Sequence, residues 1–209
     1  MDEMKVLKSE FRLCHDCMEE HEVKTVLVDE VTLYKDKELH FECCYYFCDK
    51  TDDYYMDEEQ MTENDIHLKD AIRKFEGLLS SSQIRAIRDK YSISQSDLSN
   101  VLGWGGKTIT RYESHQVQDR AHDAILRRIS EDPEWFHEQL IRAKEKLSPR
   151  SFEKCEKAVM ECLKGDMEEK KREKQFLDEI KKSPFTYEEV LNLLKQNAAN
   201  LSIVSEPKK

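Results

Sequence analysis

The sequence predicts an α+β protein: a small β-rich segment near the N-terminus, then helices to the C-terminus. Three observations carry this. Two early runs, "KTVLVDEVTLYKD" and "LHFECCYYF", are rich in Val, Thr, Tyr and Phe with partial alternation. Helix-start signals recur from residue 80 onward, where Ser80-x-x-Gln83 forms a capping-box pattern. Glycine and proline number only five and four in 209 residues, few for an all-β chain.

The β-rich segment is assigned to residues 9–56, with a hairpin through "KDKE" at 35–38 joining its two runs. Its apolar count is too small for an isolated stable sheet, so something must staple it. A connecting helix follows over 57–79, with Thr62 as a candidate cap and Gly77 as its stop. Residues 80–129 read as a cluster of short helices, Ser94 capping one of them and Gly103 ending it. Residues 130–209 form a charged helical extension. Pro133 lies near one helix start there, and Thr186-x-x-Glu189 is a second capping-box pattern.

Charge is distributed unevenly. The whole chain carries −10, which taken alone argues against nucleic acid. Residues 1–79 hold 22 acidic and 10 basic side chains, net −12, whereas residues 80–129 are net +3. A local basic surface matters more for binding phosphates than the total does. The basic excess is small, so affinity must come from specific contacts. No run approaches the roughly 18 apolar residues of a membrane span. The N-terminal "MDEMKVLKSE" lacks an apolar signal core, so a cytoplasmic location is expected. Seven cysteines without an export signal point to reduced thiols or a metal site.

Cys14-x2-Cys17 is the first constellation. A tight CxxC turn presents two thiolates to one zinc, and the remaining ligands usually come from a distant hairpin. Ligands of a tetrahedral zinc sit about 3.8 Å apart. Cys44 and Cys48 on one extended strand would be roughly 13 Å apart, so both can ligate only if the chain bends sharply between them, and "YYF" does not read as a bend. Cys48, beside the polar "DKTDD", is therefore the third ligand. Cys43 and Cys44 are expected as strand side chains, one packed and one exposed. His21 is the preferred fourth ligand, reached if "MEEH" makes one helical turn, with Cys44 as the alternative. Four protein ligands make a structural site with no open position for water. The competing explanation is a redox pair, which ordinarily sits in a βαβ setting missing here. The other histidines of this segment, His15, His40 and His67, are expected at the surface. His115 and His122 are expected near DNA or solvent.

The stretch "GWGGKTITRYE" at 103–113 follows the apolar run "DLSNVL". A first helix, a Gly-containing turn and a second helix with its N-terminal half exposed is the order of a helix-turn-helix. Ile93, Leu98, Val101, Leu102, Ile109 and Tyr112 supply an inner face. Lys107, Thr108, Thr110 and Arg111 then fall on or near the outer one. Arg bonds guanine bidentately, Lys reaches guanine or phosphate, and Thr offers hydroxyl or methyl. Gln95, at the start of the preceding helix, can offer its amide and backbone N–H to a phosphate. The competing explanation is a solvated helix face in an ordinary bundle.

Residues 83–129 resemble the phage-repressor-type (Xre/Cro) helix-turn-helix. Together with the CxxC hairpin, the chain resembles MqsA-like type II antitoxins with their YgiT-type zinc finger. That resemblance covers residues 11–129. It implies a homodimer binding double-stranded operator DNA, repression of its own operon, and neutralisation of a cognate protein toxin by direct binding. It places base reading on Lys107 and Arg111 and a structural role on Tyr112 and Glu113. Here the second cysteine pair of that pattern is reduced to Cys48, "ESHQ" replaces the usual "ERG" turn, and residues 130–209 lie outside it. No Gly-rich phosphate loop, HExxH or locally supported Ser/His/Asp set points to an enzyme. The alternative function is a zinc- or redox-responsive transcriptional regulator without a toxin partner.

Overall fold

The structure, a computed structural model, describes residues 4–182 and residue 189. Thr186 and the C-terminal tail lie outside the described residues. The N-terminal segment is an antiparallel sheet in the order β1-β2-β3-β4. Its strands are β1 (Lys5–Leu13), β2 (Glu20–Tyr34), β3 (Lys37–Cys48) and β4 (Asp53–Tyr55). The hairpin turn falls at Lys35-Asp36, inside the expected "KDKE". Both residues have positive φ, 51° and 60°, as a two-residue turn matched to strand twist requires. β2 and β3 pair from Lys24 opposite Phe47 to Tyr34 opposite Lys37. β1, which begins before the expected residue 9, pairs with β2 through a bulge between Val6 and Lys8.

α1 (Glu58–Glu76) follows the sheet. Its cap is Asp57, not Thr62: the Asp57 carboxylate accepts from Gln60 N–H in a capping box, while Thr62 Oγ1 donates to the Glu58 carbonyl inside the first turn. The shift follows from Asp57 standing one residue before the acidic first turn, where a carboxylate meets the positive end of the helix dipole. Gly77, at φ 70°, ends the helix as expected. α1 lies along the edge of β3 that β4 leaves open. Asn64 Nδ2 donates to the Cys44 carbonyl (2.9 Å), and its Oδ1 accepts from the Cys44 N–H (2.7 Å). His67 donates to the Glu42 carbonyl (2.7 Å). One amide thus does what a neighbouring strand residue would do, and the edge is closed to further pairing. Cys44 lies half-buried beside this contact and receives Gln60 Nε2 (3.4 Å), so it is neither the exposed thiol expected nor a member of the metal cluster.

The helices are α2 (Ser81–Lys90), α3 (Gln95–Leu102), α4 (Thr108–Tyr112), α5 (Arg120–Glu131), α6 (Pro133–Arg142) and α7 (Pro149–Lys182). Ser80, Ser94, Asp119 and Asp132 each cap with a side-chain oxygen; Gly103 closes α3 at φ 68°. Ile84, Ile87, Leu98, Ile109, Leu126 and Ile129 are buried in this helical part. Phe136, Leu140, Phe152, Cys155 and Val159 are buried too, so burial continues past residue 129. Two compact units divide the chain, Met1–Val159 and Met160–Lys209. In the second, the described part of α7 exposes most of its side chains, Met167, Phe176 and Leu177 among them. No described helix is long and apolar enough to cross a membrane.

Candidate metal centre and nucleic-acid interface

Cys14, Cys17, His21 and Cys48 come together, each offering a ligand atom, and these atoms all lie within 4.8 Å of one another. They converge by a different local route from the one expected. "MEEH" makes no helical turn: Met18 takes φ 61°, the chain reverses, and His21 is delivered by the start of β2. The reversal is closed by Met18 N–H donating to the Cys14 carbonyl (2.9 Å). A second turn repeats it at the end of β3, where Asp52 has φ 59° and its N–H donates to the Cys48 carbonyl (2.9 Å). In the first turn the positions three apart are Cys14 and Cys17; in the second they are Cys48 and Thr51. Thr51 therefore occupies the place of a second-turn cysteine, and the imidazole of His21 completes the set instead.

The electrostatics suit a cation. Burial pushes the Cys14 thiol up, but the N–H groups of Cys17 and Asp16, with Tyr55 and His21, outweigh it and bring the thiol down to about 6. The Thr51 hydroxyl, working against burial, holds Cys48 below the usual thiol range. His21 is raised, chiefly by its bond to Cys14. Its Nδ1 faces the Glu22 carbonyl (2.8 Å), which fixes a proton there and leaves Nε2, 3.6 Å from Cys48 Sγ, free to ligate. Three thiols and an imidazole at this spacing are a soft, four-donor set of the tetrahedral kind. Val23, Tyr46 and Tyr55 pack around it.

The helix-turn-helix candidate is α3, the turn at 103–107 and α4. Trp104 N–H donates to the Ser99 carbonyl (2.8 Å), and the Trp104 ring stands edge-on to His122 at 4.3 Å. His122 is thus half-buried, with its Nδ1 hydrogen-bonded to Asp119 (2.7 Å), not simply solvent-facing. Of the turn glycines, only Gly103 has positive φ; Gly105 and Gly106 do not. Lys107 and Arg111 are exposed and one turn apart, Arg111 N–H donating to the Lys107 carbonyl (3.0 Å). Neither side chain makes a hydrogen bond or ion pair among the described residues. Thr110 is exposed, with its hydroxyl on Gln95 Oε1 (2.9 Å). Thr108, expected on the outer face, is 9% exposed: α4 begins there, directly after the turn, and its Oγ1 lies only 3.3 Å from where a Cβ on Gly105 would be. The Gln95 side chain is committed inside the fold, since its Nε2 donates to Glu113 (2.7 Å). One Nε2 hydrogen and the backbone N–H remain for the phosphate contact expected of it.

Two anchors seat α4, and sequence reasoning recovered only part of one. Glu113, 3% exposed, accepts from Arg88 Nε (2.8 Å) as well as Gln95, joining α2, α3 and the end of α4. Arg73 of α1 is the other. Its guanidinium is fully buried and donates to Asp70 (2.7 Å), Gln118 Oε1 (2.9 Å) and the carbonyls of Tyr112 (2.6 Å) and Gln116 (2.8 Å). A single helix thus runs from the Cys44 edge of the sheet to the last carbonyl of α4. Compared with known proteins, the chain matches no family model, no curated protein and no solved structure.

Proposed function

We propose that this chain is a sequence-specific DNA-binding antitoxin of the MqsA-like kind. In this reading it represses its own operon as a homodimer and neutralises a toxin by direct binding. One observation carries the DNA half: Lys107 and Arg111, exposed on one side of a short, firmly anchored helix, have their donors unspent. A guanidinium and an ammonium one turn apart suit a guanine edge and a phosphate in the major groove. The flanking segment's net +3 supports the same direction. Thr110 can add a methyl contact; Thr108 is left out of the reading surface. Zinc is the metal proposed for the Cys14, Cys17, His21 and Cys48 set, held as a structural staple with no position left for a reacting water.

The test is a fluorescence-anisotropy titration of the full chain on duplex DNA from immediately upstream of its own gene, at two salt concentrations. Arg111→Ala should weaken that binding by about 1–3 kcal/mol and relax choice at one base pair. Equal loss on specific and random duplex would make Arg111 a phosphate contact, and no binding to either would remove the DNA reading. For the toxin half, rescue of cells from the product of the neighbouring gene by this chain is the expected outcome. A runner-up, a metal- or redox-responsive regulator without a toxin, draws on the depressed Cys14 thiol. It predicts DNA affinity that changes with zinc or peroxide.

A further inference from the structure

The sheet face carrying Val26, Val28 and Phe47 holds a groove of about 470 Å³. Val28 and Phe47 form its floor. Tyr45 and Tyr54 stand over it, the Tyr54 ring 5.1 Å from Phe47 and 5.8 Å from Tyr45. Two carboxylates line it, Glu30 and Asp52, and no basic side chain does among the described residues. Glu30 accepts only the Tyr45 hydroxyl (3.0 Å), and the Asp52 carboxylate has no partner among the described residues. Burial and Glu30 both raise the Tyr45 phenol, so it stays a donor to that carboxylate at neutral pH. Beyond the groove the face carries two exposed apolar side chains, Val6, half exposed opposite Val26, and Phe11, 75% exposed opposite Glu22.

We infer that this groove seats an arginine side chain of a basic partner protein, flanked by apolar residues of that partner. Charge complementarity selects the occupant: the segment is net −12, and its groove combines aromatic faces with two uncompensated carboxylates. Arginine fits better than lysine because a planar guanidinium stacks on Tyr or Phe while bonding carboxylate in a fork. The same face already holds one cation this way. Lys24 Nζ lies 5.9 Å over the Phe47 ring and bonds Asp49 at 2.7 Å. The exposed Val6 and Phe11 give the partner's apolar neighbours a surface to cover. Identifying that partner as a toxin rests on the antitoxin reading above; the groove's chemistry does not.

The test is an NMR titration of the full-length chain with a capped five-residue peptide alternating leucine and arginine, and with its citrulline counterpart. Saturable shifts at the Val28 methyls and the Tyr54 ring are expected. Citrulline should weaken binding about tenfold, and so should the Glu30→Gln/Asp52→Asn double variant, in which Gln keeps an acceptor for Tyr45. No saturable shift at those positions, or equal affinity for the neutral peptide, would overturn the inference without using any variant. The purified product of the neighbouring gene is then added to the same chain. Its failure to bind while the peptide still does removes the antitoxin reading and leaves the groove standing. Binding undiminished by the double variant removes the groove as that partner's seat.

Discussion

Replacing Arg73 by alanine should destabilise the chain more than any other single change at the helix anchors. Its guanidinium is fully buried and makes four hydrogen bonds, three of them to groups at 112–118. Asp70 keeps donors after the loss, from Ser81 N–H (2.8 Å) and Ser81 Oγ (2.7 Å). Gln118 keeps the bonds of its own amide N–H, to the Leu79 carbonyl and Asp123. The uncompensated acceptors are the carbonyls of Tyr112 and Gln116 and the Gln118 Oε1. Each buried acceptor left unsatisfied costs about 1–3 kcal/mol. Gln116 is at the surface, where water can replace one bond. A net loss of about 3–4 kcal/mol follows, in the range for removing one side of a buried charged pair. Urea unfolding followed by Trp fluorescence measures it, and Trp104, packed on Tyr112 and His122, reports locally. Arg73→Lys should recover only part, since an ammonium bonds Asp70 but cannot fork to both carbonyls. A loss below about 1 kcal/mol for Arg73→Ala would refute the anchor.

His21→Ala should lower zinc affinity at least about 100-fold, measured by competition with a chromophoric chelator. Adding Thr51→Cys to that variant should restore most of it, and a double variant no better than the single one would contradict the two-turn geometry. Chelator added to the zinc-loaded chain should loosen the Cys14–Cys17 turn while the far-UV circular dichroism of α2 to α6 persists; collapse of both would show one cooperative unit. Burial pushes the Asp123 carboxyl up, but Leu79 N–H, Gln118 and Arg127 outweigh it, so its folded value lies below the usual 3.8. Its contribution is therefore complete above that unfolded value and is lost as pH falls through the folded one. Asp123→Asn should flatten the acid limb of a stability-versus-pH curve, and an unchanged limb would count against it. Gly103→Ala meets no atom within 4 Å, so it should cost only the left-handed backbone, about 1–2 kcal/mol, by thermal melting.

Local chemistry was legible in the sequence. Ser80, Ser94, Gly77 and Gly103 act within one turn of their own position, and the hairpin turn follows from two residues. The candidate metal set was readable because Cys14-x2-Cys17 marks a turn and strand spacing sets Cys44 far from Cys48. What escaped is what distance in sequence conceals. Nothing near Asn64 or Arg73 announces a bond to a strand edge 20 residues away or a carbonyl 39 residues away. Thr51 did leave a signal: its spacing from Cys48 repeats that of Cys17 from Cys14. Thr108 was misplaced because a five-residue helix leaves its inner and outer faces undecided by periodicity.

Asn64 occupies the outer side of β3 at Cys44, and beyond β3 the sheet ends in the three residues of β4. The other edge is β1, a nine-residue strand that carries Lys5, Lys8 and Arg12. Backbone pairing of the long β1 with β1 of a second copy would be self-complementary, a closed pair instead of an endless ribbon.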